Sequence, residues 1–179
     1  MLKSITYEAE KADELWPLLN WVIDVKTDPA DKRDHIQFAV AAGGWIHRTN
    51  GAMLKSVRVE GIEDGCYLPI KKASTIILKH SRKPEDMRQP CPDFEKLYQL
   101  TPGHTNVVVS GYGDVGWMKT LAEVIIGTRG VFNSAYFASL SIGFSGHVYY
   151  AGPEDMIFFL GERADEDVDQ KGALMPMRF

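Results

Sequence analysis

The most explicit chemical pattern in this chain is a set of glycines. Asn106-Val-Val-Val-Ser-Gly-Tyr-Gly-Asp-Val-Gly116 holds G-x-G-x-x-G between a strand-like run and a helical one. In that setting, backbone amides at a helix N-terminus receive the pyrophosphate of a dinucleotide. The context argues against this use. The motif begins past residue 110, which leaves too little chain for the usual run of parallel βα units. Where an acidic residue would close the next strand, Thr128 and Arg129 stand instead; an arginine there suits a 2′-phosphate. A small NAD(P)-binding enzyme using Gly111–Gly116 is therefore the least supported reading.

Other reactive groups are scattered. His35, His47, His80, His104 and His147 lack the H-x-x-x-H spacing of a zinc site. Neither a P-loop nor G-x-S-x-G is present. Glu154-Asp155 and the acidic run Glu162–Asp169 do not follow an EF-hand pattern. Cys66 and Cys91 form no CxxC, which fits a reducing cytoplasm without disulfides or structural zinc. No catalytic residue, metal site or cofactor is expected. The remaining chemistry is that of binding. Gly172-Ala-Leu-Met-Pro-Met-Arg-Phe179 offers polarisable methionines for varied apolar side chains and an arginine fork for a carbonyl or carboxylate. Lys71, Lys72, Lys79, His80, Arg82 and Lys83 form a basic run of the kind that usually makes a solvated face.

These residues need a scaffold. The chain has 179 residues, 45% apolar and 25% charged, enough for one packed domain. A net charge of −4 argues against a surface coated in base for indiscriminate nucleic-acid binding. No apolar run is long enough to span a bilayer, and the first residues do not resemble a signal peptide. Alternation predicts strands over Leu2–Glu8, His35–Ala41, Trp45–Arg48, Ala52–Val59, Cys66–Ile70, His104–Ser110, His147–Ala151 and Met156–Leu160, with the last residues as a closing strand. Thr49-Asn-Gly51 is a hairpin signal, and Gly43-Gly44 turns the chain before it. Helical spacing marks Lys11–Val25, with Pro17 in its first turn, then Lys71–His80, Trp117–Ile126 and the run through Ala135–Ile142. Ser81–Gly103, with four prolines, reads as an irregular insertion.

Phe132-Asn-Ser-Ala-Tyr136, the helix and two strands after it, and the ending Met175-Pro-Met-Arg-Phe179 resemble the C-terminal half-domain of the bacterial sliding clamp, the beta subunit of DNA polymerase III. Trp45–Leu54, Tyr67-Leu-Pro-Ile-Lys-Lys72 and Pro92-Asp-Phe94 are similar to that family's middle domain. The resemblance implies an α+β, DNA-clamp-like fold, mainly antiparallel sheet with helices on one face. Residues 1–179 would form a single clamp-like domain, with the insertion around 81–103 and an extra strand–helix unit around 104–127. It further implies a peptide-binding pocket of Thr49, Gly51, Leu54, Met175, Pro176, Met177 and Arg178, and a DNA-binding set of Lys71, Lys72, Lys79, Arg82 and Lys83. The implied partners are a DNA polymerase or another protein bearing a clamp-binding peptide, double-stranded DNA held without sequence preference, and further copies of the chain. No membrane is involved, and the implied location is the cytoplasm, with the nucleoid. The departures are as informative. Family members are longer chains of several domains, and the His-Arg usual after the turn glycine is Ala52-Met53 here. Either several short chains close a ring, or the ring is lost and the chain is a regulatory module that binds clamp-binding peptides without DNA.

Overall fold

The computed structural model describes residues 4–10, 15–100, 103–109, 115–130, 132–161 and 169–177, with backbone alone at 84, 115 and 116. In chain order the elements are β1 (Ser4–Glu8), α1 (Leu15–Ile23), α2 (Asp34–Gln37), β2 (Ala39–Ala42), β3 (Trp45–Thr49), β4 (Met53–Arg58), β5 (Gly65–Lys72) and β6 (Thr75–Arg82). There follow a 3-10 turn (Pro84–Asp86), α3 (Phe94–Leu97), β7 (Thr105–Val109), α4 (Val115–Gly127), α5 (Ser134–Ser141), β8 (Gly146–Tyr150), β9 (Ile157–Gly161) and β10 (Gln170–Leu174). The chain forms two compact units. One comprises residues 1–51 and 55–93, the other residues 52–54 and 94–179, so the first residues of β4 count with the second unit and the rest with the first.

In the first unit the strands run β1-β6-β5-β2-β3-β4. Gly43 and Gly44 turn β2 into β3 at φ +57° and +80°, values that glycine adopts without Cβ strain. Trp21 of α1 caps the sheet by covering the Lys55 ammonium, 4.8 Å from its ring. Arg48 is also buried; it donates to the Ile36 carbonyl at 3.0 Å and the Thr27 hydroxyl at 3.3 Å, and burial lowers its pKa to about 10. Between β3 and β4, His47 Nδ1 and Ser56 Oγ lie 2.8 Å apart in the interior. Buried Asp34 opens α2 and accepts from the Arg82 guanidinium at 3.0 Å and from the Arg88 amide at 2.8 Å. One carboxylate thereby fastens α2 to the end of β6 and to the connection beyond it.

In the second unit β4 is followed by β10-β9-β8-β7. Phe137 of α5 meets Phe159 edge-on, with ring centroids 5.1 Å apart, and Phe144 meets the same ring from another side. Val148 opposes Phe159 in the ladder, so α5, Val148 and Tyr150 share one face of this sheet. Gly127 brings the end of α4 onto Tyr150 of that face. Asn133 caps α5 by accepting from the amides of Ala135 and Tyr136. Phe158 points the other way, against Tyr98 and His104, so the short α3 segment lies on the opposite face from α5.

Most expected elements are present, with three corrections. The helix expected over Lys71–His80 is strand: β5 continues to Lys72 and β6 starts at Thr75. Ile76 and Leu78 are buried while Ile77 and Lys79 face outward, a period of two that β-branched Thr75, Ile76 and Ile77 favour. Asp34–Gln37 is a helical turn, so the strand expected from His35 starts at Ala39. The closing strand stops at Leu174, before Pro176, which has no amide hydrogen for a ladder. The expected elements' residues 2–3, 11–14, 101–102 and 110, the motif residues 111–114, the acidic run 162–168, and 178–179 lie outside the described residues.

Burial pushes the Lys55 pKa from 10.5 down to about 8, with Lys71 acting in the same direction and Asp24 against it. Unfolded, this lysine keeps its proton to about 10.5, whereas the fold releases it near 8. Between those values the unfolded state binds more protons, so the lysine's contribution makes stability rise with pH. Burial of Cys66, with a thiol pKa raised to about 11, works in the opposite direction at higher pH, so the comparison is made against a variant. Lys55→Met is expected to stabilise the fold at pH 7 by roughly 1–3 kcal/mol and to remove the lysine's pH dependence, read by urea denaturation between pH 7 and 10. A second expectation concerns Gly127, where a Cβ would lie 2.8 Å from Tyr150 Cδ2. Alanine gains about 1 kcal/mol of helix propensity, but overpacking against a buried ring costs roughly 1–3 kcal/mol. Gly127→Ala is therefore expected to lower the thermal midpoint, in contrast to the usual gain for this substitution in a helix.

Candidate partner-binding site

The expected pocket residues divide between the two units. In the second, β10 buries Leu174 and then releases the chain. The Met175 amide donates to the Ala52 carbonyl at 2.8 Å, which fixes where the segment leaves the sheet. Beyond that bond, Met175 and Met177 are 41% and 44% exposed, with half-buried Pro176 between them. The proline holds its own φ and so stiffens the backbone that presents the two thioethers. Leu54 is in the same unit but is buried at 5% exposure, a core residue. Gly172 has no side chain because a Cβ there would come within 2.7 Å of Leu140 Cδ2, and this lets α5 approach β10 closely.

In the first unit, Thr49 is buried and its hydroxyl accepts from the Gly51 amide at 3.0 Å. Gly51 has φ +87°. Both residues thus shape the turn between β3 and β4, a backbone role. Arg178 lies outside the described residues.

The basic set does not share one surface. Lys71 opposes Ile76 in the ladder and sits 3.8 Å from Asp24, just past α1, so it points to the helix side. Arg82 is held by Asp34 and lies 5.0 Å from the Phe38 ring. Lys83 lies beyond β6, 3.7 Å from Glu85. Lys72 and Lys79 face outward on the other side of the sheet, among Leu68, Ile70 and Ile77. The sequence reading missed those aliphatic neighbours. Period-two alternation over Leu68–Lys72 was the signal that would have found them, and the helix expected from Lys71 hid it.

The remaining chemical groups are dispersed as well. His147 Nδ1 meets Asn106 Oδ1 at 2.8 Å across β7 and β8, a cross-strand pair. Among the described residues no group of three His, Cys, Asp or Glu side chains could hold a metal ion. No helix among them is long and apolar enough to cross a membrane. The thiols of Cys66 and Cys91 are pushed up by burial, which leaves them poor nucleophiles at neutral pH.

No protein-family model matches the chain, and no curated protein matches it in sequence. Solved structures do. Caulobacter crescentus pol III beta superposes with a TM-score of 0.60 at 12% identity over 99% of this chain and 66% of its own. The DNA polymerase sliding clamp of Bacillus subtilis gives 0.60 at 9% identity, covering 99% of this chain and 64% of that one. The Helicobacter pylori beta clamp in complex with diflunisal gives 0.56 at 8% identity, covering 92% and 64%. This chain thus spans about two thirds of the length of the clamps it matches. On these superpositions the chain has the fold of the bacterial sliding clamps, the beta subunit of DNA polymerase III.

Proposed function

We propose that this chain is a non-enzymatic, sliding-clamp-like protein of DNA replication that tethers a polymerase or another replication factor by gripping an apolar peptide. The observation that carries this reading is the pair of exposed thioethers, Met175 and Met177, on a stiff segment anchored by the Met175–Ala52 hydrogen bond. Exposed methionines give a soft apolar surface that adapts to different side chains. A Pseudomonas aeruginosa sliding clamp of the same fold is known bound to griselimycin, a precedent for ligand capture on this architecture. On this reading several copies close a ring around duplex DNA in the cytoplasm.

A second reading has its own support: a regulatory module that takes clamp-binding peptides and never holds DNA. Across α1, α4 and α5 the single basic residue is Lys119, and it lies 3.9 Å from Glu123 on the same helix. Helices so poor in base offer little to a phosphate backbone, whose affinity comes from neutralising charges.

Met177→Asp is expected to abolish binding of a labelled clamp-binding peptide in fluorescence anisotropy, while Lys72→Ala leaves it unchanged. Equal affinity of wild type and the Met177 variant would sink the peptide site. Titration with duplex DNA across a salt series decides between the two readings. A steep loss of affinity with salt supports the ring, and absence of measurable binding at low salt supports the module.

A further inference from the structure

The outer face of the β5–β6 hairpin is assigned no role by the reading above. The ladder pairs Leu68 with Lys79, Ile70 with Ile77 and Lys72 with Thr75, so these side chains share one face. On the opposite face Ile76 and Leu78 are fully buried on the side of α1. One side of this sheet is thus packed, and among the described residues the other carries exposed aliphatic side chains. Leu68 and Ile70 remain 43% and 38% exposed, with Ile77 half-buried beside them. Lys72 and Lys79 bracket this aliphatic trio, both exposed. Next to β6, β1 adds Ser4 and Thr6, and Glu8 lies across β6 from Lys72 with Thr75 between them.

From this arrangement we infer that the outer face of β5–β6 docks an acidic amphipathic helix of a partner protein. An apolar sheet face is normally covered by a helix or a second sheet, and this one is fringed with positive charge. The two lysines are offset by four residues along the strands, roughly 13 Å. A helix rising about 1.5 Å per residue covers roughly 12 Å in about eight residues, a spacing the flexible lysine side chains can meet. The fitting helix carries carboxylates at i and i+8, with leucine-like residues at i+1, i+4 and i+7 on the same stripe. Duplex DNA would satisfy the lysines but leave the aliphatic trio against water. An anionic membrane, whose attraction is summed over clusters of basic residues, gains little from two lysines.

The test uses the full chain and two fluorescein-labelled helical peptides with that leucine pattern, one with Glu at i and i+8, the other with Lys. Wild type is expected to bind the Glu peptide about tenfold more tightly than the Lys peptide, with the gap narrowing as salt rises. Lys72→Glu/Lys79→Glu, both exposed and remote from the core, is expected to reverse the preference with an unchanged melting midpoint. Ile70→Ser is expected to weaken both peptides alike. Failure of the Glu peptide to bind saturably overturns the inference, as does equal binding by the charge-reversed variant. Binding of duplex DNA or anionic vesicles that is lost in that variant, without Glu-peptide binding, overturns it too.

Discussion

β4 is buried on both faces from Met53 to Val57, and a lysine sits in the middle of it. Lys55 is 1% exposed, and its ammonium faces the Trp21 ring instead of water. A cation over an indole recovers part of the lost hydration, by up to about 2 kcal/mol when desolvated, which is less than an unpaired buried charge forfeits. The pull on its pKa, to about 8, records that imbalance. Trp21 ties α1 to this strand, beside the burial of Leu19 and Val22 on the same helix. β4 is also the strand on which both units draw. A strand buried from Met53 to Val57 is therefore where the fold tolerates its least comfortable residue.

Elsewhere, close approach is managed by omission of side chains. Gly172 admits Leu140 of α5 onto β10, and Gly127 admits the Tyr150 ring beneath the end of α4. With Phe137, Phe144 and Phe159 meeting edge to face, the helices of the second unit settle directly on its sheet. The first unit relies more on polar fastenings, with Asp34 holding Arg82 and Arg88, and Arg48 reaching the Ile36 carbonyl. In both units the packed interior leaves selected apolar groups outside. Met175 and Met177 follow the last strand, and Leu68 and Ile70 lie on an uncovered sheet face. On the readings proposed above, such groups take partners without disturbing the core.

The similarity to solved clamps is structural, at 8–12% identity. The likeness is one of fold, and the surface of this chain is read from its own residues: α1, α4 and α5 contribute a single lysine, close to a glutamate.

The sequence by itself determined the turns, most of the strands and the longer helices. Gly51, Gly43 and Gly44 take positive φ at the expected turns, and β-strand alternation is legible over Trp45–Arg48 and Met53–Arg58. The terminal Met-Pro-Met and the turn before β4 carried the resemblance to the clamp family. Tertiary structure alone decided what those rules leave open. The run Lys71–His80 satisfies a helical and an extended pattern alike, and pairing of Thr75–Arg82 with both β1 and β5 settled it as strand. That choice sent Lys71 and Lys72 to opposite faces and placed Lys79 among aliphatic neighbours. It dissolved the basic surface that a helix would have gathered, because a period of two divides what a period of 3.6 brings together.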